Sequence, residues 1–388
     1  MSSIIRLTAR AVVAGAILLS GHGVQAQTYA YSVFDLGTLG GASLTATALN
    51  NQGQVVGYGI TSSGSTQAFM TGANGIGLTN LGTLGGASSY AADINDAGQV
   101  VGRSERADGL VRAFSTAPSG TGMTDLGTLS GGTTSAATGI NNSGQIVGYS
   151  TTSTGSGALT RAFSAASAGA PLVNLGSFSY SQPPYASYSG AAAVNDAGVV
   201  VGSATEGCNC AGAAFKGQVG SPDIYHVNGV SGNTSGATAV NASGQVVGAA
   251  NGFTNVPYIS GGHAFLSNPD GSILDIGATW VGHSGALAIN GLGQVGGYFG
   301  LGNEIHGFIT GANGLNAVDI NSLVAPGGDY YFTRVVGLND VGQVLALGSN
   351  NRSYLLSVGV VPEPSTWALM SLGLGAVGFM ASRRRKLA

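Results

Sequence analysis

The hydrophobic and polar positions of this chain recur with a long period and in a constant order. An apolar residue is followed by asparagine, two variable residues and glycine. Glutamine comes next in six copies and Val199 in the fourth, and two mostly β-branched residues then precede another small residue. The asparagine and glycine pairs are Asn50/Gly53, Asn95/Gly98, Asn141/Gly144, Asn195/Gly198, Asn241/Gly244, Asn290/Gly293 and Asn339/Gly342. Successive asparagines lie 45 to 54 residues apart, so the pattern defines seven copies of one unit.

Two further patterns repeat in phase with the first. An apolar step occurs at Ala68-Phe69, Ala113-Phe114, Ala162-Phe163, Ala214-Phe215, Ala264-Phe265, Gly307-Phe308 and Ser353-Tyr354. A step that begins with Asp or Asn and is followed by an apolar residue and Gly starts at Asp35, Asn80, Asp125, Asn174 and Asp275, and it is degenerate near His226 and Asp319. Each unit therefore contains four short strand candidates. The Asn-x-x-Gly segment is a tight turn between the first two, because Asn supports the turn and Gly accepts a positive φ.

Four strands in about 45 residues are typical of one blade of a β-propeller. The period is too long for one coil of a β-helix, and a β-sandwich pair does not explain seven copies in phase. The array opens with a single strand candidate at residues 31–37 and ends with another at residues 353–358. The sequence therefore predicts an all-β, seven-bladed β-propeller over residues 27–360, in which the N-terminal strand completes the last blade.

Composition supports this fold and narrows the function. Only 7% of the residues are charged and 68 are glycine, which fits short strands joined by glycine turns better than helical bundles. Between residues 27 and 360 there are 7 basic and 15 acidic residues, a net charge of -8. Nucleic-acid binding requires basic patches that neutralise phosphates, so we expect no nucleic-acid partner.

The N-terminus has the pattern of a secretory signal peptide. Arg6 and Arg10 form a positive region before an apolar stretch at residues 11–19, which is too short to span a bilayer. A small-x-small site ending at Ala26 follows, so residues 1–26 are predicted to be removed and the mature chain to begin at Gln27.

The C-terminus combines three features in order. Pro362, Glu363 and Pro364 precede an apolar stretch at residues 367–381, which we predict to be a transmembrane helix. A basic cluster follows at Arg383, Arg384, Arg385 and Lys386 and predicts a cytoplasmic end. Residues 361–388 resemble the bacterial PEP-CTERM sorting signal. This resemblance implies recognition by an exosortase, a membrane transpeptidase-like enzyme of Gram-negative bacteria. It also implies a tether in the inner membrane, followed by processing towards the cell surface or the extracellular space.

The repeats themselves resemble the bacterial extracellular HAF-repeat family, which is named for a His-Ala-Phe triplet. His263-Ala264-Phe265 matches the triplet fully, and His306-Gly307-Phe308 matches it in part. In other copies the leading position holds Gln67, Arg112, Arg161 or Ala213. A position that accepts such exchanges is more typical of a polar site at a blade edge than of a catalyst.

Residues that could carry chemistry are sparse. Cys208 and Cys210 are two ligands where a closed zinc site needs four, so we expect no metal and no cofactor. The longest repeat carries an insertion with Tyr180, Tyr185 and Tyr188, which are suited to stacking on sugars or on a partner protein. Trp280 is a second candidate, and the aromatic run at residues 330–332 is a weaker one. The alternative for these aromatic residues is packing within their own loops.

These observations favour a non-catalytic exported protein that belongs to the cell surface or the extracellular matrix. Its propeller would act as a binding or scaffold module, with exopolysaccharide as a candidate ligand. The alternative is a propeller-fold polysaccharide-active enzyme, a lyase or a glycosidase. A cluster of Asp, Arg and His in the central funnel would favour the enzyme, and small residues there would favour the scaffold.

Overall fold

The described part of the computed structural model comprises residues 31–154, 157–178, 188–205, 212–228, 230–253, 262–280, 282–325 and 328–358. Its strands form seven four-stranded antiparallel sheets. The predicted all-β, seven-bladed β-propeller is therefore confirmed. Residues 1–26, Cys208, Cys210 and the predicted span at 367–381 lie outside the described residues. Among the described residues, no helix is long and apolar enough to cross a membrane.

The strands are numbered in chain order, and each blade begins with its innermost strand. Blade 1 contains β2 (Gly40–Leu49), β3 (Val55–Thr61), β4 (Thr66–Met70) and β5 (Thr79–Gly82). Blade 2 contains β6 (Gly85–Ile94), β7 (Val100–Arg106), β8 (Val111–Thr116) and β9 (Met123–Asp125). Blade 3 contains β10 (Ser135–Ile140), β11 (Ile146–Thr154), β12 (Gly157–Ala165) and β13 (Val173–Asn174). Blade 4 contains β14 (Ser189–Val194), β15 (Val199–Ala204), β16 (Ala213–Gln218) and β17 (Ile224–His226).

The remaining blades follow the same order. Blade 5 contains β18 (Val230–Val240), β19 (Val246–Phe253), β20 (His263–Ser267) and β21 (Ile273–Asp275). Blade 6 contains β22 (Ser284–Ile289), β23 (Val295–Leu301), β24 (Glu304–Ile309) and β25 (Val318–Asp319). Blade 7 contains β26 (Phe332–Leu338), β27 (Val344–Gly348), β28 (Ser353–Val358) and, as its outer strand, β1 (Tyr31–Asp35). Short 3-10 turns lie at Ala73–Gly75, Pro118–Gly120, Gly277–Thr279, Ala312–Gly314 and Ile320–Leu323.

The ring is closed by pairing between the two ends of the described chain. Strand β1 runs antiparallel to β28, with Tyr31 opposite Val358 and Asp35 opposite Tyr354. An ion pair of 3.0 Å between Arg352 and Asp35 ties the same two strands together. Closure occurs as the sequence predicts, although β1 ends at Asp35 rather than at residue 37, and it leaves β28 paired on both sides.

The hydrophobic core is divided among the interfaces between neighbouring blades. One cluster, for example, joins Val56 and Ala68 of blade 1 to Ile94 and Phe114 of blade 2. Polar contacts support the same interface, because the hydroxyl of Ser89 accepts a hydrogen bond from the backbone N–H of Ala68 at 2.9 Å. Corresponding hydroxyls at Ser135, Ser189, Ser235 and Ser284 accept from Ala113, Ala162, Ala214 and Ala264. Between blades 7 and 1 the arrangement is reversed, because Ser353 of β28 accepts from the N–H of Ala46 in β2. Stability therefore depends on every blade having its neighbour.

Candidate functional site

The asparagine of each repeat has a role that its turn geometry alone does not reveal. Its side-chain amide donates to the backbone carbonyl of the corresponding asparagine in the next blade. The seven bonds are 2.8–3.2 Å long and join Asn50, Asn95, Asn141, Asn195, Asn241, Asn290 and Asn339 into a closed circle around the axis. The oxygen of Asn50 also accepts from Gln52 and Gln54 in its own turn. Each asparagine therefore shapes one blade and binds the next.

A second polar ring lies beside the first, at the residue after each asparagine. Its members include Asp340, Asn51, Asp96, Asn142 and Asp196, which line a small axial cavity of about 210 Å³. The Asn142 amide lies 3.2 Å from carboxylate oxygens of both Asp96 and Asp196. These carboxylates are held by amides of the ring, and no group of three or more His, Cys, Asp or Glu residues in the described chain is placed to hold a metal. The observed role of the ring is to link neighbouring blades at this end of the axis.

The other end of the channel has a different character. In the second strand of every blade, the two mostly β-branched residues are followed by a small residue and then by a residue that varies from blade to blade. The variable residues are Tyr58, Arg103, Tyr149, Ser203, Ala249, Tyr298 and Leu347. Opposite these in the innermost strands lie Thr45, Tyr90, Ala136, Gly190, Gly236, Gly285 and Arg334. On the innermost strands this level lies five residues before the asparagine circle, which corresponds to about 17 Å along a strand. We call Tyr58, Tyr90, Arg103, Tyr149, Tyr298 and Arg334 the aromatic funnel.

A cavity of about 550 Å³ occupies part of this funnel. Tyr58, Tyr90, Arg103 and Tyr149 lie in its wall, and most of the remaining wall is alanine. Ser203 also lines a neighbouring cavity of about 640 Å³ beside blades 4 and 5. The funnel therefore has one aromatic half and one half with small residues, and there is room for an extended ligand between them.

Two arginines lie on tyrosine rings in the aromatic half. The guanidinium carbon of Arg103 is 4.6 Å from the centre of the Tyr90 ring, and that ring meets Tyr58 edge to face at 5.0 Å. In the same way, Arg334 lies 5.0 Å from the centre of the Tyr298 ring. Cation–π contact of this kind holds a guanidinium in place and leaves its N–H donors accessible.

The structure places the aromatic residues predicted as binding candidates in different environments. Tyr188 is 48% exposed and lines a cavity of about 320 Å³ that it shares with Tyr149 of the funnel. Tyr180 and Tyr185 lie outside the described residues. The Trp280 ring stacks on Phe299 with centroids 4.5 Å apart and is packed against the core between blades 5 and 6. Tyr330 likewise stacks on Tyr354.

The histidines of the triplet pair with the Asp of the following strand. His263 Nδ1 lies 3.1 Å from Asp275, and His306 Nδ1 lies 2.7 Å from Asp319. Gln67 with Asn80 and Arg352 with Asp35 occupy the same positions in other blades. Burial lowers the pKa of His306, but hydrogen bonds to Asp319 and Glu304 outweigh it, so the pKa is raised overall. These pairs connect the third strand of a blade to the fourth through side-chain contacts.

One buried carboxylate gives a test of stability against pH. Asp93 accepts hydrogen bonds from the N–H groups of Ile94 at 2.8 Å and Ile140 at 2.9 Å, yet burial raises its pKa from 3.8 to about 6. Because the folded pKa is the higher one, its contribution to stability is complete below pH 3.8 and is lost as the pH rises through about 6.

We therefore expect the Asp93→Asn protein to gain stability relative to the natural protein between pH 4 and pH 7, by at most about 3 kcal/mol. Denaturant unfolding at several pH values measures this difference. The raised pKa of His306 also makes stability fall with pH, but it acts in both proteins and cancels. Parallel pH profiles for the two proteins would contradict the role given to Asp93.

Comparison with known proteins identifies the C-terminus. The family described as the PEP-CTERM protein-sorting motif matches residues 360–386. The prediction of this motif from Pro362, Glu363 and Pro364 is therefore confirmed, and the motif implies export and processing by an exosortase. A comparison with curated proteins found no match.

Solved structures support the fold alone. The chain is similar to a prolyl endopeptidase, with 12% identity, a TM-score of 0.53, and coverage of 87% of this chain and 51% of the other. It is also similar to an acylaminoacyl peptidase from Pyrococcus horikoshii, with 9% identity, a TM-score of 0.54, and coverage of 84% of this chain and 53% of the other. A third similar structure is the β-propeller domain of the Trilobed protease from Pyrococcus furiosus, which is described as having an open velcro topology. Its identity is 9% and its TM-score 0.51, and the match covers 83% of this chain and 97% of that domain. This chain spans about half the length of the two peptidases.

Proposed function

We propose that this protein is an exported, exosortase-sorted component of the cell surface or extracellular matrix, and that its propeller binds polysaccharide in the aromatic funnel without catalysing a reaction. The HAF-repeat assignment, the signal peptide ending at Ala26 and the C-terminal membrane helix belong to this proposal. They agree with the PEP-CTERM motif, which implies export and surface or extracellular sorting.

The observation that carries the proposal is the pair Tyr58 and Tyr90 beside Arg103 in an open cavity. Tyrosine presents an apolar ring face together with a hydroxyl group, which suits the apolar faces and hydroxyls of sugars. The alanine and glycine of the surrounding strands leave the rings accessible from the channel. Tyr188 extends the same surface towards blade 4 through the cavity that it shares with Tyr149.

A binding assay on the full chain in mild detergent tests this function. We expect the Tyr58→Ala/Tyr90→Ala protein to bind a responsive polysaccharide about tenfold more weakly, which corresponds to a loss of about 1.4 kcal/mol. Tyr225→Ala is the matched control, since Tyr225 is 66% exposed on an outer strand and lies away from the funnel. A glycan array with no ligand, or equal losses for the two variants, would refute the proposal.

The alternative is a polysaccharide-active enzyme, and one observation favours a lyase. The His283 ring lies 6.2 Å from the Tyr298 ring, which carries Arg334 on it. His283 offers a base and Arg334 a cation that can pair with the carboxylate of an acidic sugar. In β-elimination the base would take the proton from the carbon beside the carboxylate, a carbon–carbon double bond would form as the carbon–oxygen bond to the leaving sugar breaks, and the protonated base or water would return a proton to the leaving oxygen. Unsaturated sugar ends appearing during the binding assay would favour this alternative.

A further inference from the structure

The charges of the propeller are distributed unevenly between its two ends. Three aspartates, Asp96, Asp196 and Asp340, lie in the polar ring beside the asparagine circle. Others, such as Asp125, Asp275 and Asp319, occupy outer strands and pair there with Arg or His. Of the described residues that line the cavity of the aromatic funnel, none is Asp or Glu, and Arg103 is among them. A chain with a net negative charge thus has a cationic binding surface.

Arg103 and Arg334 differ from the arginines at the blade edges. Both are exposed, each lies on a tyrosine ring, and within the described part of the chain neither forms an ion pair with a carboxylate. Arg106, in the same strand as Arg103, shows the contrast, because it pairs with Asp108 at 3.2 Å and with Asp125 at 3.1 Å. The two funnel arginines therefore have charge and donors available for a ligand.

The two pairs occupy corresponding levels on separate blades. Arg334 faces Leu347 across the first two strands of blade 7 in the same way that Tyr90 faces Arg103 in blade 2. Blade 1 lies between them and contributes Tyr58 at this level. Tyr298 and Arg334 at one end of this arc, and Tyr90 and Arg103 at the other, thus place two cations along a row of aromatic faces. A polymer that carries a charge at intervals can meet both arginines at once.

Resting on the proposed function, we propose that the ligand is an acidic polysaccharide whose sugar carboxylates are bound by Arg103 and Arg334. The planar guanidinium group binds a carboxylate through two parallel N–H···O bonds, and the tyrosine beneath it holds it in the required plane. The same tyrosines contact the apolar faces of the sugar rings. Contact at both arginines makes the interaction multivalent, so a polymer binds more tightly than a single acidic sugar.

Polygalacturonate and its methyl ester provide the test, because esterification removes the charge and retains the sugar. We expect the full chain to bind polygalacturonate at least tenfold more tightly than the ester or neutral dextran, and more tightly than monomeric galacturonate. Added salt should weaken the polyuronate interaction and leave ester binding nearly unchanged.

Substitution at the arginines locates the effect. The Arg103→Gln/Arg334→Gln protein should lose at least tenfold in affinity for polygalacturonate and become nearly insensitive to salt. Its affinity for the ester should stay within about twofold. Arg106→Gln is the matched control, and it should bind like the natural protein because its charge is already paired at the blade edge.

The outcomes separate the two levels of the proposal. If the ester or dextran binds as tightly as the acid, or if Arg106→Gln weakens binding as much as the funnel variant, the acidic-ligand inference is overturned while polysaccharide binding stands. If none of the polymers binds and a wider glycan array is also negative, the proposed function fails together with the inference.

Discussion

Deletion of residues 28–38 is expected to abolish the cooperative unfolding transition of the propeller. The deletion removes β1, which supplies the outer strand of blade 7, and Leu36, which is buried in the core between blades 7 and 1. It also leaves Arg352 without Asp35 and leaves one edge of β28 without its partner strand. We expect a loss of roughly 5 kcal/mol or more, comparable with the whole stability of many domains. Thermal and denaturant unfolding measure this loss.

The controls distinguish closure from loss of surface residues. Val33 and Phe34 are 37% and 45% exposed, so the Val33→Thr/Phe34→Thr protein keeps the pairing of β1 and should lose no more than about 1 kcal/mol. A synthetic peptide covering residues 27–39 should restore cooperative unfolding to the deleted protein. A truncated protein of normal stability would show that the ring does not depend on its closing strand.

Gly148→Ala is expected to destabilise the propeller strongly, although it adds only one methyl group. A Cβ atom at Gly148 would collide with the carbonyl oxygen of Ala136 and lie 2.9 Å from both the Ala137 backbone and the ring of Phe163. Phe163 is fully buried, and backbone atoms in a paired strand cannot move aside cheaply. We expect a loss of about 3 kcal/mol, at the upper end for overpacked cores, measured by denaturant unfolding.

Gly190→Ala provides the comparison. It is also a glycine in a strand, but the nearest atom to an added Cβ is 3.9 Å away, an ordinary contact. This variant should change the free energy of unfolding by less than about 1 kcal/mol. Equal losses in the two variants would mean that steric collision under the phenylalanine does not explain why glycine recurs at the position of Gly148.

The same packing explains why two of the sequence patterns recur together. A Cβ atom added at the recurring strand glycine would collide with a backbone carbonyl oxygen of the paired innermost strand. This holds for Gly57, Gly102, Gly148, Gly202, Gly248 and Gly297. At five of these six sites a ring atom of the following phenylalanine also lies within 2.9 Å of the added Cβ. In blade 7 the corresponding pair is Ala346 opposite Tyr354. The departure from glycine and the departure from phenylalanine therefore occur in the same blade.

The aromatic funnel is absent from the sequence-based predictions for a physical reason. Its residues occupy a variable position within a regular strand, at Tyr58, Arg103 and Tyr149 in the first three blades. The insertions and loops, which break the repeat most visibly, point instead to Tyr188 and Trp280. In a propeller, however, a position that varies among otherwise regular strands can face the shared channel, where no neighbouring blade constrains its size. The signal that could have revealed the funnel is this variation, seen when the seven copies are aligned strand by strand.

The sequence by itself determined the number of blades, the turns between their strands and the sorting motif, because each depends on residues that are close along the chain. Asn-x-x-Gly forms its turn locally, and the alternation of apolar positions defines each strand locally. The hydrogen bond from the Asn339 side chain to the Asn50 carbonyl depends on tertiary structure, because only closure of the ring brings together residues that are 289 positions apart. The funnel arises in the same way: Arg334 and Arg103 are remote in sequence, and closure of the ring places both on one channel wall.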